Sequence, residues 1–106
     1  MNKKLTVQVN KKKFDYDLTG FDMRLYESKL TSYLTISSLG EDKFAMKKKL
    51  NDLFSKINGD DIKFDVSFEM GGSKVSLGTC EYTYNSSDDQ EIISFIAQDR
   101  SAITYS

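Results

Sequence analysis

Sixteen acidic residues are spread along this chain, and five of them bracket its clearest strand signal. Asp60 and Asp61 stand just before an alternating run at 62–70. Asp88, Asp89 and Glu91 follow the next apolar stretch, which ends near residue 85. Two antiparallel strands joined by a tight turn bring the segments before and after them to the same end, so the five carboxylates are expected to form one acidic end. Carboxylates grouped in this way can hold calcium or offer an anionic patch to a basic partner. Solvated loops and a capped helix start would need the same residues. The outward positions of the run add Lys63, Asp65 and Glu69 to this candidate partner-binding surface.

Other chemistries are limited by composition. There is no histidine, so triads of the Ser-His-Asp or Cys-His type and ordinary zinc sites are excluded. Cys80 is the single cysteine, so no internal disulfide is possible; its place in an apolar alternation marks it as an inert core thiol. Asp15, Asp17 and Gly20 match the opening of an EF-hand loop, Asp-x-Asp-x-x-Gly. The twelfth position is Tyr26 and not an acid, and Asp15 and Asp17 equally suit the outward face of a strand. Gly71-Gly72 reads as a turn and not a phosphate loop, because no helix start follows it. Paired carboxylates can run glycosidase chemistry, but 106 residues leave little room for a substrate cleft. The expectation is a non-enzymatic protein without cofactor or metal.

The cations point the same way. Thirteen lysines stand against two arginines, Arg24 and Arg100, and the formal net charge is −1. Polyanion binding usually draws on a basic excess, and lysine lacks the planar fork with which arginine reads phosphates and bases. Two lysine clusters remain, Lys11–Lys13 and Lys47–Lys49. With Tyr26, Tyr33, Tyr82 and Tyr84 they could in principle serve a single-strand binder, although at least two of those tyrosines belong to expected core faces. Lysines at sheet edges also prevent edge-to-edge aggregation.

The elements that must position these residues follow from periodicity. Residues 3–9 and 14–19 alternate as a hairpin across a four-residue loop, with Val9 opposite Phe14, Val7 opposite Tyr16 and Leu5 opposite Leu18. Residues 23–29 and 33–37 read as strands, with a short helix over 22–30 as the alternative. Residues 39–58 form an amphipathic helix whose stripe is Met46, Leu50, Leu53, Phe54 and Ile57, with Phe44 off the stripe. Ser38 and Glu41 suit a capping box, Asp52 and Lys56 an i,i+4 pair, and Asn58-Gly59 a left-handed stop. Ile62 to Met70 alternate, Gly71-Gly72 turns, and Val75 and Leu77 return opposite Phe68 and Val66. The phase then slips to Cys80, Tyr82 and Tyr84, which predicts a β-bulge at Gly78-Thr79 that sets Cys80 opposite Phe64 and Tyr82 opposite Ile62. Ser87-Asp88-Asp89-Gln90-Glu91 suits a helix start, giving a helix over 88–99. The run Ile92–Ile96 also satisfies a buried strand, with a second strand at Ser101–Tyr105.

The expected fold class is therefore α+β: one domain over 1–106, an antiparallel β-sheet with a central amphipathic helix and a C-terminal helix packed on one face, in the order ββββ-α-ββ-α. No apolar stretch approaches a membrane span, and the first five residues lack the apolar core of a signal peptide. The reading is cytoplasmic, in the producing cell or an infected host. The function expected is a small protein-binding module, such as a phage or mobile-element inhibitor of the anti-CRISPR type that blocks a nucleic-acid-binding protein with its carboxylates. A structural or assembly subunit that self-associates through strand edges and a nucleic-acid binder using the lysine clusters are the alternatives.

Overall fold

The computed structural model describes residues 2–38 and 43–106. Along the chain run β1 (Lys3–Val9), β2 (Lys12–Asp17), β3 (Asp22–Glu27), β4 (Ser32–Ser37), α1 (Lys43–Ile57), β5 (Phe64–Met70), β6 (Ser73–Ser86), β7 (Glu91–Ala97), a 3-10 turn at Arg100–Ala102 and β8 (Thr104–Tyr105). The class is α+β: the described residues form an eight-stranded antiparallel sheet and one α-helix after β4. That helix is not long and apolar enough to cross a membrane.

The sheet order is β2-β1-β5-β6-β7-β4-β3, with β8 added on β6. β2 and β3 lie at opposite ends of this order, yet only residues 18–21 join them. Six strand spacings span roughly 29 Å in a flat sheet, whereas that link reaches about 17 Å at most. The sheet must therefore roll, and Leu18 and Phe21 of the link are buried in the core. α1 covers the inner face, with Met46, Leu50, Leu53 and Ile57 buried against inward residues such as Val7, Leu34, Phe64, Ile93 and Phe95. Tyr16 Oη donates to Asp52 Oδ2 at 2.8 Å, and Lys56 Nζ sits 4.8 Å from the Phe14 ring centre, fastening α1 to β2. Phe54 stacks on Tyr82 at 5.3 Å and fastens it to β6.

Local chemistry accounts for most elements. The strands at β3 and β4 form as expected, without the alternative helix. The Asp52–Lys56 pair closes at 3.1 Å, and Phe44 stays on the exposed side of α1. The proposed Ser38–Glu41 capping box falls partly outside the described residues. The first hairpin turns on two residues and not four: Asn10 and Lys11 take φ of 51° and 69°, the conformation whose twist matches the flanking strands. Val7 then faces Phe14 and Leu5 faces Tyr16. A shift of two keeps every side chain on its expected face. At the end of α1 neither Asn58 nor Gly59 takes a positive φ. Asn58 N still donates to Phe54 O at 2.9 Å. Gly59 serves a close approach instead, since a Cβ there would lie 2.7 Å from Ile62 Cδ1.

The bulge forms one residue early. Ser67 pairs with Ser76 but Val66 pairs with Gly78, leaving Leu77 as the extra residue, and Gly78 takes φ 70°. The repaired register continues to Asp65 and Thr79, and there the pairing of β5 with β6 stops. Cys80 turns to Ala97 of β7 for its partner, and Ile62 lies outside β5, so the expected Tyr82–Ile62 pair is absent. β6 thus serves β5 with its first half and β7 with its second.

The expected helix over 88–99 is a strand. Ser87 N donates to Gln90 O at 2.9 Å, closing a hairpin, and Ser86 pairs with Glu91. Glu91, Ile93, Phe95 and Ala97 are all buried while the residues between them are half-buried. β7 lies between β6 and β4, and the β-branched run Ile92-Ile93 suits a strand paired on both sides. Only the 3-10 turn at 100–102 is helical in this region.

Candidate functional site

The five carboxylates expected to gather do not. Asp60 and Asp61 follow the C-terminal end of α1. Asp88 lies at the other end, where Lys43 Nζ donates to its carbonyl at 3.0 Å and to that of Ser87 at 2.9 Å. The helix between has 15 residues, so at about 1.5 Å per residue the two acid pairs stand roughly 20 Å apart. The cause is the length of β6: it overshoots β5 by seven residues and carries Asp88 and Asp89 beyond the end where β5 begins. Lys63 stays with Asp60 and Asp61, lining one cleft with them. Asp65 and Glu69 face the opposite side of the sheet, where Thr79 Oγ1 donates to Asp65 at 2.9 Å and Lys4 approaches Glu69 at 3.9 Å.

Glu91 is withdrawn from the surface altogether, at 0% exposure. Its carboxylate accepts from the Tyr84 hydroxyl and from Ser86 Oγ at 2.7 Å. Its main chain exchanges two bonds with Ser38: Glu91 N donates to Ser38 Oγ at 2.9 Å, and Ser38 N donates to Glu91 O at 3.1 Å. Burial pushes the carboxyl upward, but the two hydroxyl donors and the charges of Lys47 and Lys43 outweigh it and hold the group below the ordinary glutamate value. Glu91 is a structural anion that ties β4, β6 and β7 together beneath the start of α1.

The remaining candidates resolve into structure. Asp15 accepts from Thr6 Oγ1 at 2.7 Å and Asp17 from the Thr19 amide at 3.0 Å, as outward residues of β2 and its link. Among the described residues no group of three or more Cys, Asp or Glu side chains could hold a metal ion. Lys11 lies in the first hairpin turn with Lys12 and Lys13 on the β2 edge. Lys47 and Lys48 are exposed on α1 and Lys49 is half-buried there. Cys80 is buried, and burial, with Asp65 behind it, pushes its thiol up to about 12. A protonated, enclosed thiol is a poor nucleophile.

Two surfaces emerge, of which the second keeps Asp60 and Asp61. The first is a corner on the outer face of the sheet. Tyr26, Tyr33, Ile96 and Glu81 form one cross-strand row through β3, β4, β7 and β6. Tyr26 and Tyr33 stack at 5.0 Å. The β3–β4 hairpin carries Leu30 at its tip, 88% exposed, held by Ser28 Oγ, which accepts from the Leu30 and Thr31 amides at 3.3 and 3.0 Å. Arg100 donates to Lys29 O, and the Tyr105 hydroxyl to Glu27. Arg24, on the same face as Tyr26, is kept charged beyond its ordinary range by the Tyr26 hydroxyl and by Asp22. Both arginines of the chain thus lie at this corner with three tyrosines and the most exposed leucine among the described residues. In the sequence Tyr26 and Tyr33 read as stacking rings or, with Met23 and Leu30, as a stripe at helical spacing. The helical spacing of Leu30 hid its place as an apolar residue in a polar hairpin tip.

The second is the side of β6 that β5 leaves open, flanked by α1. Phe54 lies 5.3 Å from Tyr82 and 4.9 Å from Tyr84, ring centre to ring centre. A cleft of about 590 Å³ opens at the Asp60–Lys63 end, lined also by Ile57, Glu81 and Tyr82. Aromatic and arginine side chains are the types enriched in contact surfaces between proteins. No protein-family model, curated protein or solved structure matches this chain.

Proposed function

We propose that this chain is a small non-catalytic protein-binding module that acts by occupying a partner's surface through the Tyr26–Tyr33 corner. One observation carries the reading: the only two arginines, Tyr26, Tyr33, Tyr105 and the 88% exposed Leu30 converge on one end of a rigid sheet. Tyrosine and arginine are enriched among residues that dominate interface energy, and rigid rings lose little entropy on binding. The charge at the corner is mixed, with Arg24, Lys29 and Arg100 beside Asp22, Glu27 and Glu81. That balance favours a protein partner over a polyanion. An inhibitor that masks a working surface of its target belongs to this reading. Its channel-blocking form, in which clustered carboxylates imitate nucleic acid, draws no support from acids set roughly 20 Å apart by the helix between them.

The test is a tagged capture from lysate of the source cell or its host, with nuclease, comparing the parent chain with Leu30→Ala and Tyr26→Ala. One stoichiometric protein should survive nuclease, and each variant should weaken it about 30-fold, the effect of an interface hot spot. Equal affinity for both variants removes the corner from the mechanism. A mixture that nuclease disperses overturns the protein-binding reading itself.

A further inference from the structure

The open side of β6 has a defined hydrogen-bonding pattern. Gln98 N donates to Thr79 O at 3.0 Å and Ser87 N to Gln90 O at 2.9 Å, fixing the phase of the β6–β7 ladder. In an antiparallel ladder, alternate residues turn their main-chain groups to alternate sides. Glu81, Thr83 and Asn85 therefore bond to β7, and Tyr82, Tyr84 and Ser86 direct their N–H and C=O groups the other way. β5 begins only at Phe64, and its pairing with β6 stops at Asp65–Thr79. Among the described residues no main-chain partner meets those three. We propose that this edge takes up an extended peptide segment of another protein as an added strand, with basic residues of that segment set against Asp60, Asp61 and Glu81. It rests on the binding-module reading only in taking a polypeptide as ligand; its surface shares Glu81 alone with the Tyr26 corner.

Three observations favour this occupant. First, the edge lacks the charged side chains that protect the outer strands of the sheet. β2 carries Lys12 and Lys13, and β3 carries Asp22, Arg24 and Glu27, while residues 82–86 read Tyr-Thr-Tyr-Asn-Ser, with no charge and no proline. Second, the edge has a floor: Tyr82 and Tyr84 stand on Phe54 of α1, so alternate side chains of an added strand meet aromatic surface. Third, the charge is one-sided. Three carboxylates face Lys63 alone at the cleft end, and Asp88 and Asp89 lie beyond the other end. A second copy, paired antiparallel about Tyr84, would bring Asp60 and Asp61 toward Asp88 and Asp89 of its neighbour. Like charges oppose that pairing, and a basic segment is favoured by it.

The experiment is selection of a displayed library of random ten-residue peptides on the full chain, followed by synthesis of the enriched sequence. The expected family alternates β-branched or aromatic residues with polar ones and carries Lys or Arg toward one end. Methylating every second amide of the peptide should abolish binding in one phase and spare it in the other, the signature of a strand bonded along one side. Asp60→Asn with Asp61→Asn should weaken binding about tenfold, as for lost charge-assisted contacts, and Leu30→Ala should leave it unchanged. Failure to enrich any family, methylation that shows no alternation, or peptides that depend on Leu30 each overturn the proposal. So does light scattering that shows the edge taken by a second copy, a dimer disrupted by Tyr84→Pro. A partner captured through the corner in the absence of peptide binding would sink this inference alone.

Discussion

Truncating Glu91 to alanine should unfold this protein at much milder conditions, although the residue lies in a stretch rich in exposed acids. The carboxylate is fully enclosed and accepts from Tyr84 and Ser86. A hydrogen bond to a charged group contributes about 1.5–3 kcal/mol. Tyr84 and Ser86 are exposed enough to rebond to water after truncation, so only part of the gross loss is kept. The space left by the missing carboxyl adds to it, and a net loss of about 3 kcal/mol follows. For a domain near 100 residues this lowers Tm by roughly 12–20 °C. Glu91→Gln keeps the volume and one acceptor oxygen, and should lose about half as much. Urea unfolding gives the comparison, read as a fall in midpoint at unchanged slope.

The pH dependence supplies an independent check. The folded Glu91 carboxyl titrates below its ordinary value of 4.5. Between those two values the unfolded chain binds the extra proton, so stability rises with pH there. The contribution is fully present above pH 4.5 and is lost as pH falls through the folded value. Parent and Glu91→Gln should therefore converge in stability on acidification below 4.5 and stay separated at neutral pH. Variants within about 0.5 kcal/mol of the parent at pH 7 would refute the reasoning, because that is the range of an ordinary surface change.

Other outcomes follow from single observations. Gly78→Ala places a side chain at φ 70° beside Ala102 and should cost about 1–2 kcal/mol in the same urea assay, the strain of a left-handed residue. Cys80, with its thiol pushed up to about 12 by burial, should react with a disulfide reagent at pH 8 only as fast as the chain opens, and at full speed in denaturant. Tyr16 is raised above the ordinary tyrosine value by burial and by Asp52. In an alkaline absorbance titration it should be the last tyrosine to ionise, and Asp52→Asn should bring it closer to the others.

Much of this fold is legible because glycine and alternation are local signals. The two-residue turn at Gly71-Gly72 and the slip near Gly78 can be read directly, since a period of two that changes phase at a glycine has few other causes. The C-terminal third is not legible in that way. Ser87-Asp88-Asp89-Gln90 suits a helix cap and a hairpin turn equally, and the choice rests on whether Ile93 and Phe95 find β4 and β6 on either side. That pairing is long-range. The same ambiguity hid Glu91: on a helix it belongs to an exposed first turn, whereas on a strand it shares the inward face of Ile93, Phe95 and Ala97. The corner went unread because Arg100 and Tyr105 reach Lys29 and Glu27 only after β8 has docked on β6.

The open edge of β6 is a consequence of how the sheet is rolled. β6 runs for 14 residues and β5 for seven, so half of β6 has β7 on one side and lacks a strand on the other. Extending β5 backward would cover it, but residues 58–63 are already committed to bringing the chain from the end of α1 to Phe64. Among the described residues the other edges are β2 and β3, which carry charged residues, and β8, which has two residues; charge and shortness both discourage pairing. Leaving the β6 edge to Tyr82, Thr83, Tyr84 and Asn85, over an aromatic floor and between acidic ends, runs against that practice. A position that breaks the protective pattern while the rest of the molecule keeps it is where a binding role is to be sought.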